Sequence, residues 1–485
     1  MQPLVTAARR LSIPLPDKIP TLPLKKIALV LVCVMPEVLI YHMLHPLYPY
    51  MVQALIPGDD AIGYHAGILQ SAYFLPSIIS APLMGRLSDV VGRRQVLLVG
   101  LIGYGCGTLL LGVSVHYWVS VFSMVVTGFF SGNATVAKSV IGELSSDDHT
   151  RALGYSAYGI AYAVCSILGA VMGGQLADST LFNSIPYLAK RPYFTACFFG
   201  FLLAVLCIIV TFWLLDDDAN KSTGRDGYVP LKVEEEVALG MTSPRIRLAP
   251  GVTYTAIPAP NAGTLSERIW KSVAPYLSIL NRHTLAPLAL YTLYALTNSV
   301  LHTAIPLISA SEKGYKLPQK RTAQISMYTA LAKLCAKTVF MGVHSFAGSL
   351  GTYRIGTGFL IPALILVSGV VYGLEGLVPG LVFVGIGESW AYLSLVMLIT
   401  EGAQVHEKGA TLGLVHGVSG CLAAIVRTVG PAMAGVLWET SGAFVLFSVI
   451  AAFVGVQILL SVVFLRTRKF RAVQVGVGEG KRDLE

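Results

Sequence analysis

The chain alternates between long apolar runs and mostly short polar breaks. A helix rising 1.5 Å per residue needs about 20 apolar residues to cross a bilayer. Twelve runs of that kind can be marked, at 27–49, 63–84, 95–114, 117–140, 153–175, 193–214, 283–308, 323–343, 353–374, 379–400, 409–436 and 443–465. None shows the two-residue alternation of a barrel strand, and in lipid only helices or closed barrels satisfy their own backbone. The pattern predicts an all-α integral membrane protein with twelve transmembrane helices. One break is long. Residues 215–282 carry acidic triplets at 216–218 and 234–236 and the prolines Pro230, Pro244, Pro250, Pro258 and Pro260, a composition that does not build a core. The expected organisation is a tail (1–26), a six-helix bundle (27–214), a linker (215–282), a second six-helix bundle (283–465) and a second tail (466–485).

Charge then orients this arrangement. Only 13% of the residues are charged, where a soluble protein carries about 25%. With the N-terminus inside, just six of the 35 Lys and Arg fall in outer loops (Lys190, Arg191, Lys313, Lys316, Lys320, Arg321), and four lie within spans (Lys138, Lys333, Lys337, Arg427). The rest face inward. That bias predicts both termini and the linker in the cytosol. The net charge of +9 is then a matter of topology and inner-leaflet lipid, not of a nucleic-acid partner. The run after residue 26 is too long for a signal-peptide core, so no cleaved leader is expected. The seven cysteines sit inside apolar runs without a CxxC pair and read as small buried hydrophobes.

Residues 85–96, GRLSDVVGRRQV, pack three arginines and one aspartate between two apolar runs. Gly85 and Gly92 suit a tight turn, Arg86, Arg93 and Arg94 hold it at the cytosolic face, and Asp89 can latch a neighbouring helix N-terminus. With this motif the chain resembles the major facilitator superfamily, and within it the drug:proton antiporter group. It looks most like the zinc-induced facilitator-like and tetracycline-resistance-like branch. MPEVLIYHMLHPLYPYMV (35–52), RPYFTACFFGF and RTVGPAMAG fit that branch as well. The resemblance implies two six-helix bundles rocking about a central site lined by helices 1, 4, 7 and 10. Three positions depart from it. Met124 stands where such proteins usually carry a helix-4 arginine. Ala170 replaces the proline of the helix-5 antiporter signature, although Gly159, Gly169, Gly173 and Gly174 keep a small-residue face. The loop expected between helices 8 and 9, HSFAGSLGTYRIG, only echoes the first motif.

Ionisable groups inside a bilayer are costly and mark function. Glu37, Lys333, Lys337, Glu388 and Arg427 lie within expected spans, and Lys138 lies near a span end where it can snorkel. Glu37, Tyr41, Leu44 and Tyr48 share one helical face, as do Tyr291, Asn298 and His302, and Glu388 aligns with Tyr392. These stripes are expected to line a substrate cavity, with Glu37 and Glu388 carrying protons and Lys333 and Arg427 meeting substrate. Glu388 is the expected partner of Arg427. With Lys138 set aside, three bases stand against two acids, which suggests an anionic or zwitterionic substrate group. His42 and His45 share a face but lack a third ligand, so no metal and no cofactor are expected. There is no phosphate loop and no nucleophile–base constellation, so the chain does not read as an enzyme. The leading expectation is a monomeric, proton-coupled exporter of small organic molecules in a eukaryotic plasma or vacuolar membrane. An uncoupled facilitator or importer, and a transporter-like sensor or scaffold signalling through the linker, remain open at this stage.

Overall fold

The computed structural model describes residues 24–58, 61–143, 148–177, 181–182, 184–189, 191, 193–214, 282–368, 373–404 and 412–464. The expected linker and both tails fall outside these residues, apart from 24–26 and Arg282. Among the described residues the structure is all helical. Rod α1 spans Ile27–Leu55, with a 3-10 turn at His45–Leu47 where Pro46 interrupts the α ladder. It is followed by α2 (Ile62–Val90), α3 (Arg93–Val113), α4 (Tyr117–Phe129 continued by Asn133–Glu143), α5 (Asp148–Leu176), α6 (Phe194–Leu214) and α7 (Arg282–Ala310). Two longer segments are each a pair of arms. Gln319–Val367 breaks at Gly348 (φ 70°) into α8 and α9, and Leu412–Phe464 breaks at Gly442 (φ 74°) into α11 and α12, with α10 (Gly373–Gln404) between them. The expected 8–9 loop is therefore a helix break at one left-handed glycine. Nine of these segments, counting each kinked pair once, are long and apolar enough to cross a membrane. Each of the twelve expected runs is helical over most of its length.

Side-chain exposure fits a lipid surround. Ile79, Trp118, Phe122, Trp213, Phe444 and Leu459 all point outward, an arrangement that water would penalise and hydrocarbon does not. Inside, α1 packs on α5 and α6, α3 on α4 and α6, and α2 on α4. The later rods repeat the scheme. Gly356 and Gly387 bring α9 against α10, Gln457 on α12 donates to Thr297 on α7 (2.7 Å), and Ser299 on α7 donates to the Arg427 carbonyl on α11 (3.3 Å). One pair of ties shows the repeat plainly. Arg94 on α3 donates to the Phe212 carbonyl near the end of α6, and Arg354 on α9 donates to the Ser461 carbonyl near the end of α12 (2.8 Å).

The early and late rods meet mainly along two seams, α2 against α11 and α5 against α8. At the first, a Cβ on Gly435 would lie 2.8 Å from the Gly63 carbonyl carbon, and one on Gly67 would lie 3.0 Å from that of Pro431. At the second, a Cβ on Gly174 would lie 2.7 Å from Ala323 Cβ. Among the described residues, the contacts pinning the two groups fall in the half nearer the α1–α2 connection. Tyr50 hydroxyl donates to the Leu317 carbonyl (2.6 Å), Gln319 to Tyr193 (3.1 Å), Thr303 to Gln70 (2.7 Å) and the Ala432 amide to Ser71 (3.2 Å). The molecule is closed at that face.

Candidate functional site

A charged cluster sits at mid-depth where α7, α8 and α10 converge. Glu388 Oε2 lies 2.6 Å from Lys333 Nζ and 3.4 Å from His302 Nε2, and that same Nε2 lies 3.0 Å from Lys333 Nζ. Glu388 is buried (3% exposed), whereas Lys333 and His302 are about a quarter exposed. Backbone packing builds this geometry. Gly385, one turn before Glu388, has no Cβ, so α8 approaches until the Lys333 amide nitrogen would touch one at 3.1 Å. Ser389 hydroxyl donates to the Lys333 carbonyl (3.3 Å), and Tyr294 hydroxyl on α7 donates to the Glu388 carbonyl (3.0 Å). Both Glu388 carboxylate oxygens are buried without an aligned hydrogen bond among the described residues, so Oε2 meets its neighbours as a charge partner and Oε1 meets none. A buried ion pair is sustained only by close geometry, and here one carboxylate oxygen meets the Lys333 ammonium at 2.6 Å, with His302 beside it at 3.4 Å. Lys337 sits half-buried one turn beyond Lys333, with no ion-pair partner among the described residues.

This overturns one expectation. Glu388 pairs with Lys333 and His302, not with Arg427. The titratable groups whose fields reach the half-buried Arg427 are hydroxyls: Tyr291 and Tyr294 on α7, Tyr392 on α10 and Tyr162 on α5. The reason is helix phase: α8 is the closer neighbour of α10 at Glu388, while α11 faces α7 at Ser299. The rings of Tyr291 and Tyr392 lie 6.3 Å apart and those of Tyr294 and Tyr392 lie 6.4 Å apart, so these tyrosines gather near Arg427. Asn298, half-buried one turn from His302, joins none of the hydrogen bonds above.

The α1 stripe faces the early helices. Tyr41, Leu44 and Tyr48 surround a void of about 10 Å³ with Tyr73, Tyr104 and Met124, room for about one water and not for a substrate. Met124, in the place of the family's arginine, is fully buried there and belongs to an aromatic core. Glu37 lies within electrostatic reach of Tyr73, Tyr104, Tyr158 and Tyr162, and its carbonyl accepts from Tyr104 (3.1 Å). From this stripe two contacts cross to α7. Gln70 donates to Tyr41 (3.3 Å) while accepting from Thr303, and the His45 ring lies 5.9 Å from that of His302. His42 approaches the Tyr162 hydroxyl (3.3 Å). No three His, Cys, Asp or Glu groups are placed to hold a metal ion among the described residues.

The first motif is a joint. Gly92 adopts φ 120°, ψ 146°, a region only glycine occupies readily. Arg93 donates to Ser88 (2.5 Å), which donates to the Gly85 carbonyl (2.7 Å). The Arg94 guanidinium also stacks over Phe212, 5.0 Å from its ring centre. The side chains of Arg86, Asp89 and Lys138 lie outside the described residues, and with Asp89 the expected latch. Gly85 departs from expectation: it has helical backbone and open space around a notional Cβ, so the turn does not require it. Gly159 is likewise in open space and belongs to no tight interface. Gly169 and Gly173 do. A Cβ on either would come within about 3.1 Å of the Met43 backbone on α1. Sequence reading missed one feature at the closed face. Glu439 accepts from the Gly63 amide (2.6 Å) and from Lys313 (2.9 Å), joining α11, α2 and the α7–α8 turn. A lone acid at the end of an apolar run was the available signal.

A chain of membrane-length apolar helices whose halves repeat, and which closes at one face over a charged cluster, has the architecture of a multi-pass membrane carrier. The Major Facilitator Superfamily profile matches residues 30–426, and the chain belongs to that family. Zinc induced facilitator 1 of Arabidopsis thaliana is 22% identical over 421 residues, covering 82% of this chain and 80% of that protein. The class G tetracycline resistance protein of Vibrio anguillarum is 30% identical over 166 residues, 34% of this chain and 40% of its own length. Alignments to the tetracycline-resistance relatives thus span about two fifths of those proteins. The crystal structure of the human organic anion transporter MFSD10 superposes with a TM-score of 0.60 at 16% identity, over 90% of this chain and 99% of that one.

Proposed function

We propose that the chain is a secondary active transporter that exports small organic molecules in exchange for protons by alternating access. The observation that carries this is the Glu388–Lys333–His302 cluster, which converges from α7, α8 and α10 behind a face where, among the described residues, the two helix groups are pinned together. Glu388 and Glu37 serve as the coupling carboxylates in this reading, since a carboxylate moved between wet and dry surroundings gains and loses a proton. Lys337 and Arg427, neither of them held by a carboxylate among the described ion pairs, supply positive charge for an anionic or zwitterionic substrate, and Tyr41, Tyr291, Asn298 and Tyr392 supply contact surface. The two groups act as bundles 27–214 and 283–465. Both termini and the 215–282 linker are cytosolic, in a eukaryotic plasma or vacuolar membrane, which makes the closed face the non-cytosolic one. Met124, buried where relatives carry an arginine, favours an uncoupled facilitator as the second reading.

The test is proton flux in sealed proteoliposomes under an imposed pH gradient. Benzoate, tetracycline and tetraphenylphosphonium serve as anionic, zwitterionic and cationic probes, in wild type and Glu37→Gln. A probe that moves protons in the wild type alone supports coupling through Glu37. Equal, proton-free movement in both identifies a facilitator and refutes the coupled reading.

A further inference from the structure

His302 stands at a junction that the fold did not need to make. It occupies α7, yet its Nε2 reaches both Lys333 on α8 (3.0 Å) and Glu388 on α10 (3.4 Å). Its ring also faces the His45 ring on α1, 5.9 Å away, across the boundary between the two helix groups. An imidazole Nε2 offers either one lone pair or one N–H, never both. An ammonium offers only hydrogens. At 3.0 Å, with Lys333 charged and ion-paired to Glu388 at 2.6 Å, Nε2 presents its lone pair to Lys333. Histidine is then neutral, with its proton on Nδ1.

A second proton changes the bond pattern. An N–H on Nε2 would confront an N–H of Lys333 at hydrogen-bonding distance, and two like charges would meet there. The contact cannot survive. One acceptor is within reach: the Glu388 carboxylate, whose Oε1 is buried without a partner among the described residues and whose Oε2 is already 3.4 Å from Nε2. We propose that His302 is the proton-accepting switch of this carrier, and that proton uptake moves its Nε2 from accepting at Lys333 to donating at Glu388, releasing the Lys333 ammonium toward the cavity. The bookkeeping is one proton gained at Nε2, one Lys333···Nε2 hydrogen bond broken and one Nε2–H···carboxylate bond formed.

The rearrangement is felt across the group boundary. His302 is packed on one side by the triad and on the other by His45, which is 7% exposed and ringed by Tyr41 and Tyr48. The neighbouring contact, Thr303 to Gln70 (2.7 Å), joins α7 to α2 one residue away. A ring that shifts toward Glu388 therefore shifts at the seam that the closed face depends on. The titratable and charged groups around His302 are Lys333 and Lys337 on α8, Glu388 on α10, and His42 and His45 on α1. Lys333 is the group closest to Nε2 among them, and its charge opposes uptake. Glu388 favours it.

This inference rests on the transport reading given above, but its test needs no substrate. Hydrogen exchange at the imidazole C2 carbon, followed by mass spectrometry, reports the pH titration of each histidine in the full-length protein in lipid nanodiscs. The expected result is a sigmoidal pH dependence at His302. Lys333→Gln is expected to move its midpoint to higher pH by roughly one to three pH units, because a like charge is removed, and Glu388→Gln is expected to move it to lower pH. His116, exposed at the start of α4, serves as the internal reference within the same sample. A flat profile at His302 between pH 5 and 9 in the wild type overturns the proposal without any variant having to fold. So does a midpoint that ignores Lys333→Gln in monodisperse protein. In the proteoliposome assay, His302→Gln is expected to abolish the response of probe flux to the pH gradient, and an undiminished response overturns the switch role. If no probe moves while His302 titrates as stated, the transport reading fails and the proton site stands. If a probe moves while His302 stays silent, the proposal alone fails.

Discussion

Replacing Gly435 with alanine asks whether the α2–α11 seam is a moving gate or fixed packing. The new Cβ would meet the Gly63 carbonyl carbon at 2.8 Å and Tyr64 Cα at 3.0 Å, where ordinary contact begins near 3.4 Å. Both obstacles are backbone atoms of a helix, so no rotamer change relieves the clash, and α2 and α11 must separate. Overpacking of this kind costs about 1–3 kcal/mol. If that cost falls on the closed arrangement alone, the ratio of open to closed carrier rises roughly 5- to 150-fold. Amide hydrogen exchange on the full-length protein in nanodiscs reads this directly. Segments 62–72 and 430–440 should exchange faster, while the α2–α3 end is slowed or unchanged. Gly159→Ala is the control, since a Cβ there meets nothing within 4 Å. The reasoning fails if Gly435→Ala lowers the melting temperature without redistributing exchange, or if Gly159→Ala produces the same redistribution.

Glu439→Ala should loosen the same seam, by about 1 kcal/mol given the partial exposure of its Lys313 partner, and exchange at Gly63 would report it. Glu388→Gln leaves Lys333 uncompensated and should destabilise by up to about 3 kcal/mol, the low end for a broken buried pair because Lys333 is partly wet; the Glu388→Leu, Lys333→Met double variant should recover melting temperature but not proton-driven flux. Gly92→Ala should cost about 1–3 kcal/mol through its left-handed backbone, whereas Gly85→Ala should leave the melting temperature of the purified protein unchanged. Lys316 holds the exposed Glu312 carboxyl below its ordinary value, so the contribution of that pair is complete at neutral pH and fades as pH falls from the ordinary carboxylate value through the lowered one. Glu312→Gln should therefore differ from wild type at neutral pH at most, and not under acid.

The fold class was legible because hydrocarbon imposes a one-dimensional rule. A run such as 193–214 must be a helix wherever it ends up packed, and the polar breaks must be its ends. At 85–94 the need for glycine at Gly92 was legible for a related reason, since its own backbone angle is a local property, whereas Gly85 stands in plain helix. Which side chains meet was a different matter. Arg427 and Glu388 lie on helices that follow one another in sequence, yet Gly385 draws α8 against α10 and gives Glu388 to Lys333, leaving Arg427 among tyrosines. Likewise Gly159 and Gly169 read alike along α5, but only Gly169 faces α1. Glu439 gave no hint that it would span three elements at the closed face. Hydropathy determines whether a segment leaves water; the phase and spacing of neighbouring helices, set by where glycines let backbones touch, determine which charge each buried group finds.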